Sequence, residues 1–277
     1  MPDITSDRNP RIKRAAKLRV GRHRQKLGRF LIDGVRELGL ARRAGVEIDE
    51  VFICPWRIDE AGLDPLVQQL ASDGATIHRV APGVMEKIAF GDRSEGIVTV
   101  AVTPPRTLAG LALPDNPVVA VLEGVEKPGN LGAVLRTADA AGLDATIVAD
   151  AATDLFNPNV IRASLGAVFT HPLAAANAEE TLDWLREQSL SMFAARVDGG
   201  VPFWQADFTG PTAIVLGSEA DGLSSRWPDE SAAIALPMHG SVDSLNVSVT
   251  AGVLFYEVLR QRGPQPGSWS YSSRSLP

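Results

Sequence analysis

Short β-branched runs alternate with segments of helical spacing along most of this chain, in two series kept apart by prolines. That alternation is the mark of α/β folding, in which helices cover strands buried between them. The first series predicts strands at 30–32, 51–54, 76–80 and 96–102. Between them fall helices at 35–44, 63–71 and 84–89, the first ending at Gly45. Pro104-Pro105 breaks the chain and Pro114 to Pro117 punctuates it again, which sets a linker across 104–116. The second series predicts strands at 118–122, 145–149, 191–195, 213–216 and 233–236, with helices at 129–141, 157–165, 179–188 and 245–262. Five segments follow: a basic arm over 1–26, a small α/β domain over 27–103, the linker, a larger α/β domain over 117–262, and a Pro-, Gly- and Ser-rich tail over 263–277 expected to be disordered.

Composition narrows the function classes. The chain has 277 residues, 45% of them hydrophobic, so it can build a substantial core. One cysteine, Cys54, excludes a disulfide framework and any multi-cysteine metal site. The four histidines are far apart and form no HExxH pair, so no metal is expected. No run approaches the ~18–20 apolar residues of a membrane span, and residues 1–17 lack the apolar core of a secretory signal. These features predict a soluble, cytoplasmic protein with no membrane partner.

The net charge of −6 conceals an asymmetry. Residues 1–43 carry 13 Lys and Arg against 4 Asp and Glu, a balance of +9, which leaves −15 on the rest. A basic segment on an acidic body suits a nucleic-acid partner, although a solvated basic helix would look the same. Residues 8–26 show no regular apolar stripe and read as a surface helix or arm. The last helix differs: Glu257 is the only charge between Val247 and Leu259, and apolar residues fall on two sides, Val249, Val253 and Tyr256 against Val247, Leu254 and Val258. One side can pack on its own sheet. The other needs either a second surface, most simply another copy, or burial inside one large domain.

Three clusters carry polar residues at strand ends. In the first, Glu126-Lys127-Pro128-Gly129-Asn130 turns out of a strand into a helix striped by Leu131, Val134, Leu135, Ala138 and Ala141. Asn130 reads as an N-cap, and Arg136 lies about 600° further round, off the stripe's centre. The second, Val215-Leu216-Gly217-Ser218-Glu219-Ala220-Asp221-Gly222-Leu223, places a carboxylate in a glycine-bracketed loop and matches no P-loop, GxGxxG or GxSxG pattern. In the third, Leu236-Pro237-Met238 leads through a polar loop to Ser244, Leu245 and Asn246. Ser244 is a plausible N-cap. Asn246 is a carboxamide at the head of a very apolar helix, and without partners it costs ~1–3 kcal/mol.

In this order and at these separations, the strings NLGAVLRTADAAG (130–142), VLGSEADGL (215–223) and LPMHGSVDSLNVSVTAG (236–252) resemble the SpoU branch of the SPOUT RNA methyltransferases. RASLGAVF at 162–169 is a weaker fourth match. Residues 27–103 look like the ribosomal-protein-like substrate-binding domain of many members. The resemblance implies a SPOUT α/β domain with a trefoil knot, S-adenosyl-L-methionine as methyl donor, an RNA ribose 2′-hydroxyl as acceptor, and a homodimer with sites at the interface. It implies that Leu216, Gly217, Leu236, Met238 and Leu245 hold the cofactor. It also implies that Asn130, Arg136, Glu219, Ser244 and Asn246 form the catalytic and RNA-positioning set. Ala220 departs from the family's more usual glycine.

A guanidinium is scarcely ever neutral at pH 7, so the expected role of Arg136 is to clamp a phosphate and stabilise a forming alkoxide rather than to act as base. The first domain and the basic segment favour structured rRNA over tRNA. Two rivals stay open on sequence alone: an RNA-binding or assembly factor without activity, and a base methyltransferase of another SPOUT branch.

Overall fold

The computed structural model describes residues 3–56, 60–90, 95–219, 222–227 and 231–263. In chain order the elements begin α1 Pro10–Lys17, α2 Gly21–Leu27, β1 Arg29–Asp33, α3 Val35–Arg43, β2 Ile48–Ile53, α4 Glu60–Ser72, β3 Thr76–Arg79, α5 Pro82–Ile88 and β4 Ile97–Val102. They continue with β5 Val118–Glu123, α6 Pro128–Ala141, β6 Ala145–Ala149, α7 Pro158–Ala163, α8 Ala167–Thr170, β7 Leu173–Ala176 and α9 Ala178–Glu187. The last are β8 Ser191–Ala195, β9 Val201–Pro202, β10 Thr212–Leu216, β11 Ala232–Ala235 and α10 Val247–Arg262. These elements form two compact units. One holds residues up to Pro105 together with Asp154–Thr170, and the other holds Arg106–Thr153 and the chain from His171 onward.

The first unit is built on a four-stranded sheet in the order β1-β4-β2-β3, antiparallel except between β2 and β3. Residues 3–26 pack into this unit rather than forming the surface helix or arm expected from the sequence. Ile12, Ala15 and Leu18 are buried, and with Ile4 they join Phe52, Val80, Met85 and Ile88 in one core. Their i, i+3, i+6 spacing is a helical stripe, but eight residues of helix leave room for only a few apolar positions, so the pattern is faint. Several cations of the basic stretch 1–43 are used internally. Arg11 and Arg14 both reach Glu50, Arg24 pairs with Asp154, Arg29 with Asp49, and Arg42 with Asp73.

Segment 154–170 corrects the expectation of one unbroken domain over 117–262. Phe156 and Phe169 stack on Phe30 of β1 with ring centroids 4.6 and 6.0 Å away. Gly166, at φ 84°, lets the chain pass where an added Cβ would lie 2.6 Å from Leu40 Cδ1. Aromatic burial outweighs sequence continuity here.

The second unit is a seven-stranded sheet in the order β7-β6-β5-β10-β8-β11-β9, with every strand pairing parallel. β5, β6 and β10 are buried along their whole length, as strands covered on both faces must be. The chain winds outward in both directions from the adjacent pair β5 and β10, so the loops leaving their carboxyl ends diverge and open a crevice. The small-residue run of β7 and the two-residue β9 gave no readable strand pattern.

Two helix starts differ from expectation. α6 begins at Pro128 with Lys127 at the N-cap position, so Asn130 lies inside the first turn. α10 is capped by Asn246, whose side chain accepts from Ser248 N, and not by Ser244. The two apolar sides of α10 separate cleanly. Val247, Leu254 and Val258 are buried, whereas Val249, Val253 and Tyr256 are exposed. Among the described residues no helix is long and apolar enough to cross a membrane, and no group of three or more His, Cys, Asp or Glu could hold a metal ion. Ala220 and residues 264–277 lie outside the described residues.

Candidate active site

The site begins with a glycine that cannot be anything else. An added Cβ on Gly217 would lie 2.2 Å from the Gly222 carbonyl carbon and 2.4 Å from Leu223 N. The loop folds back this tightly because Ser218 and Gly222 exchange backbone hydrogen bonds of 3.0 and 3.1 Å. Its far end is tied down by Glu123, the buried last residue of β5. The Glu123 carboxylate accepts from Ser224 N at 2.8 Å and Ser224 Oγ at 2.6 Å.

A loop fixed at both ends presents Glu219. Its Oε1 accepts from Asn130 Nδ2 at 2.5 Å and from Asn246 Nδ2 at 2.7 Å. Asn246 Nδ2 also lies 3.2 Å from Asn130 Oδ1, and Lys127 pairs with Glu219 Oε2. Residues from all three sequence clusters therefore meet at a single carboxylate. The Lys127 hydrogen bond is the largest influence holding the Glu219 carboxyl below its ordinary pKa. Asn246 settles its own hydrogen-bond account. Its Oδ1 accepts from Ser248 N and Oγ at 2.9 and 2.6 Å, which caps α10 and turns the amide nitrogen toward Glu219.

Two cavities adjoin at this carboxylate. The larger, about 660 Å³, falls in the size range of small-molecule sites. Leu216, Gly217, Leu236, Met238 and Leu245 all line it, as does Ser244. The smaller, about 210 Å³, is bounded by Val125, Glu126, Lys127 and Asn130. Ser218, Glu219 and Val247 line both.

Arg136 stands apart. It is exposed on α6, lines neither cavity, and has no ion-pair or hydrogen-bond partner among the described residues. Its six-residue offset from Asn130 turns it away from the face that meets Glu219. Sequence reasoning missed Lys127, although it sits inside the first cluster. It also missed the 196–199 wall of the larger cavity. The signal for that wall was Gly199-Gly200, because the Gly200 backbone passes where a Cβ would lie 2.6 Å from Ala233 O.

The model of the SpoU rRNA Methylase family matches residues 117–256, and that of the MRM3-like substrate binding domain matches residues 9–99. The chain belongs to the SpoU rRNA methylase family. Among curated SpoU-type relatives, the 23S rRNA (guanosine-2'-O-)-methyltransferase RlmB of Escherichia coli strain K12 is 35% identical over 233 residues, covering 80% of this chain and 94% of the relative. A solved RNA 2'-O ribose methyltransferase aligns with a TM-score of 0.79 at 41% identity over 94% of this chain and 98% of its own. The AdoMet-bound rRNA methyltransferase of Sinorhizobium meliloti aligns with a TM-score of 0.84 at 28% identity, covering 93% and 97%. The substrate-binding match begins within a residue of α1, in keeping with the packed N-terminus.

Proposed function

We propose that this protein transfers a methyl group from S-adenosyl-L-methionine to a ribose 2′-hydroxyl of rRNA. The observation that carries the reading is the convergence of Asn130 and Asn246 on Glu219, which lies on the wall shared by a roomy cavity and a small one. The larger cavity fits the donor. Leu216, Leu223, Leu236, Met238 and Leu245 offer apolar walls, the missing side chain of Gly217 allows close backbone approach, and Glu219 and Asp243 provide carboxylates facing a cation. When bound, the donor supplies a methyl group already made electrophilic by its sulfonium.

The protein's task is then alignment and charge. Asn130 and Asn246 hold Glu219, and Glu219 receives the ribose in the smaller cavity. Ser244 and Leu245 shape the donor side. A guanidinium is needed for the adjacent phosphate and for the negative charge growing on the ribose oxygen, and the hydroxyl proton leaves through phosphate or water. Arg136 of the same chain does not face this place, so the reading assigns that role to Arg136 of a second copy. The copies pair through the exposed row Val249, Val253 and Tyr256, which leaves a large apolar stripe in water on a single chain. The knot expected of this fold belongs to the same reading.

RNA is held beyond the target nucleotide by the first unit. Arg8, Lys13, Lys17, Arg22, Lys26, Arg36 and Arg43 are exposed and have no ion pair among the described residues. Binding by such cations weakens steeply with salt. The RlmB relatives and this separate substrate-binding unit favour large-subunit rRNA over tRNA, and a cytoplasmic location goes with that reading.

The test is digestion of labelled rRNA to nucleosides after incubation with donor and protein. A 2′-O-methylnucleoside is expected; a methylated base, or no label, overturns the reading. The two-chain site is tested by mixing. R136A and E219A chains are each inactive alone, and together they regain up to about a quarter of wild-type turnover through mixed dimers. No recovery on mixing places both residues in one chain's site.

A further inference from the structure

Lys127 was in none of the residue sets that the sequence motifs implied. It occupies the N-cap position of α6, supplies no side-chain cap, and puts a cation at the positive end of a helix dipole, so helix stability does not explain it. Its side chain is 70% exposed, yet its ammonium rests on Glu219, whose side chain is only 25% exposed. Glu219 thereby has three side-chain donors: the two amide groups on Oε1 and Lys127 on Oε2. With Oε1 taken by both amides, a ribose hydroxyl reaches Glu219 through Oε2, the oxygen on which Lys127 rests. Asn130 sits in a helical turn and Asn246 is locked as a cap. Lys127 hangs on a flexible stem, and an exposed ion pair of this kind is worth little.

We infer that Lys127 is a substrate-binding residue of the smaller cavity: it covers Glu219 in the RNA-free protein, and the phosphate next to the target ribose draws it off, opening Glu219 Oε2 to the ribose hydroxyl. This rests on the ribose-methylation reading. It makes RNA entry an exchange of partners, ammonium to phosphate and hydroxyl to carboxylate, and it gives a chain that fills its own acceptor site a route to empty it. The charged neighbours are few. Glu126 lies beside Lys127, and Arg196, Asp198 and Asp243 line the larger cavity, where Arg196 pairs with Asp198 at 2.9 Å.

The experiment compares K127M and K127R with wild type in the full-length protein on an unmodified 23S rRNA transcript. For K127M, kcat/KM for RNA falls about tenfold. The salt dependence of RNA binding loses about 0.7–1 from its log–log slope, while the donor Kd and the melting temperature stay unchanged. The acid limb of kcat/KM moves up, because the hydrogen bond that holds Glu219 low in the free enzyme is gone. K127R keeps the wild-type slope. An unchanged slope and acid limb in K127M overturn the proposal, as does faster turnover at unchanged slope, which would make the ammonium a plug and nothing more. The binding slope is read without catalysis. If wild type makes no 2′-O-methylnucleoside but the slopes still differ, the reading of the activity fails while the phosphate contact stands.

Discussion

The two cavities share Ser218, Glu219 and Val247 but are made of different material. The larger is walled by strand-end leucines and by backbone folded so closely that Gly217 admits no side chain. The smaller sets the ammonium of Lys127, the carboxylates of Glu126 and Glu219 and the amide of Asn130 around Val125 and Val247. In the first, recognition is written in backbone shape; in the second, in side-chain chemistry. Substitutions on the two sides should therefore fail in different kinetic constants, with Glu219 on the boundary.

E219Q breaks the comparison hardest. It keeps the volume but loses the charge that gathers Lys127, Asn130 and Asn246, so kcat falls about 10²–10³-fold, as with other preorganised charge-stabilising groups. Donor affinity by calorimetry falls only a few-fold, because Asp243 still faces the sulfonium; an equal loss in both would merge the two cavities into one functional unit. G217A is the mirror image. Its methyl forces Gly222 and Leu223 away from the strand end and weakens donor binding on the order of a hundredfold, while RNA binding measured by filter retention holds. The smallest effect is N246S. Serine still caps α10, so melting temperature shifts little, whereas the cap-deleting N246A loses about 1 kcal/mol of stability. Both lose the amide to Glu219, so turnover falls about tenfold in each. If N246S keeps full turnover, the residue is only a cap.

Asn246 also shows what could be read from sequence. A carboxamide heading so apolar a helix had to find partners, and it did, at both ends of its amide group. The alternation of strands and helices was equally legible, because burial on both faces leaves continuous apolar runs such as Val118 to Leu122. Three things were not. The stripe Ile12, Ala15, Leu18 was diluted by the cations between its members. The transfer of 154–170 to the first unit depends on Phe30 meeting Phe156 and Phe169 across more than a hundred residues. The Lys127–Glu219 contact joins loops 92 residues apart, and no local pattern encodes it. Ser244 and Asn130 were each misjudged as caps by two or three positions, the usual scale of error at helix ends.

α10 has a double life. Its first cap residue holds the amide that steadies Glu219, and further along the same sixteen-residue rod stand Val249, Val253 and Tyr256, open to whatever settles on them. On the reading that a second copy covers this row, a small molecule wedged into it acts on methyl transfer by parting the copies, without entering either cavity. Any compound that tilts the rod carries the amide with it, which makes the outer row a target for inhibitors unlike either substrate.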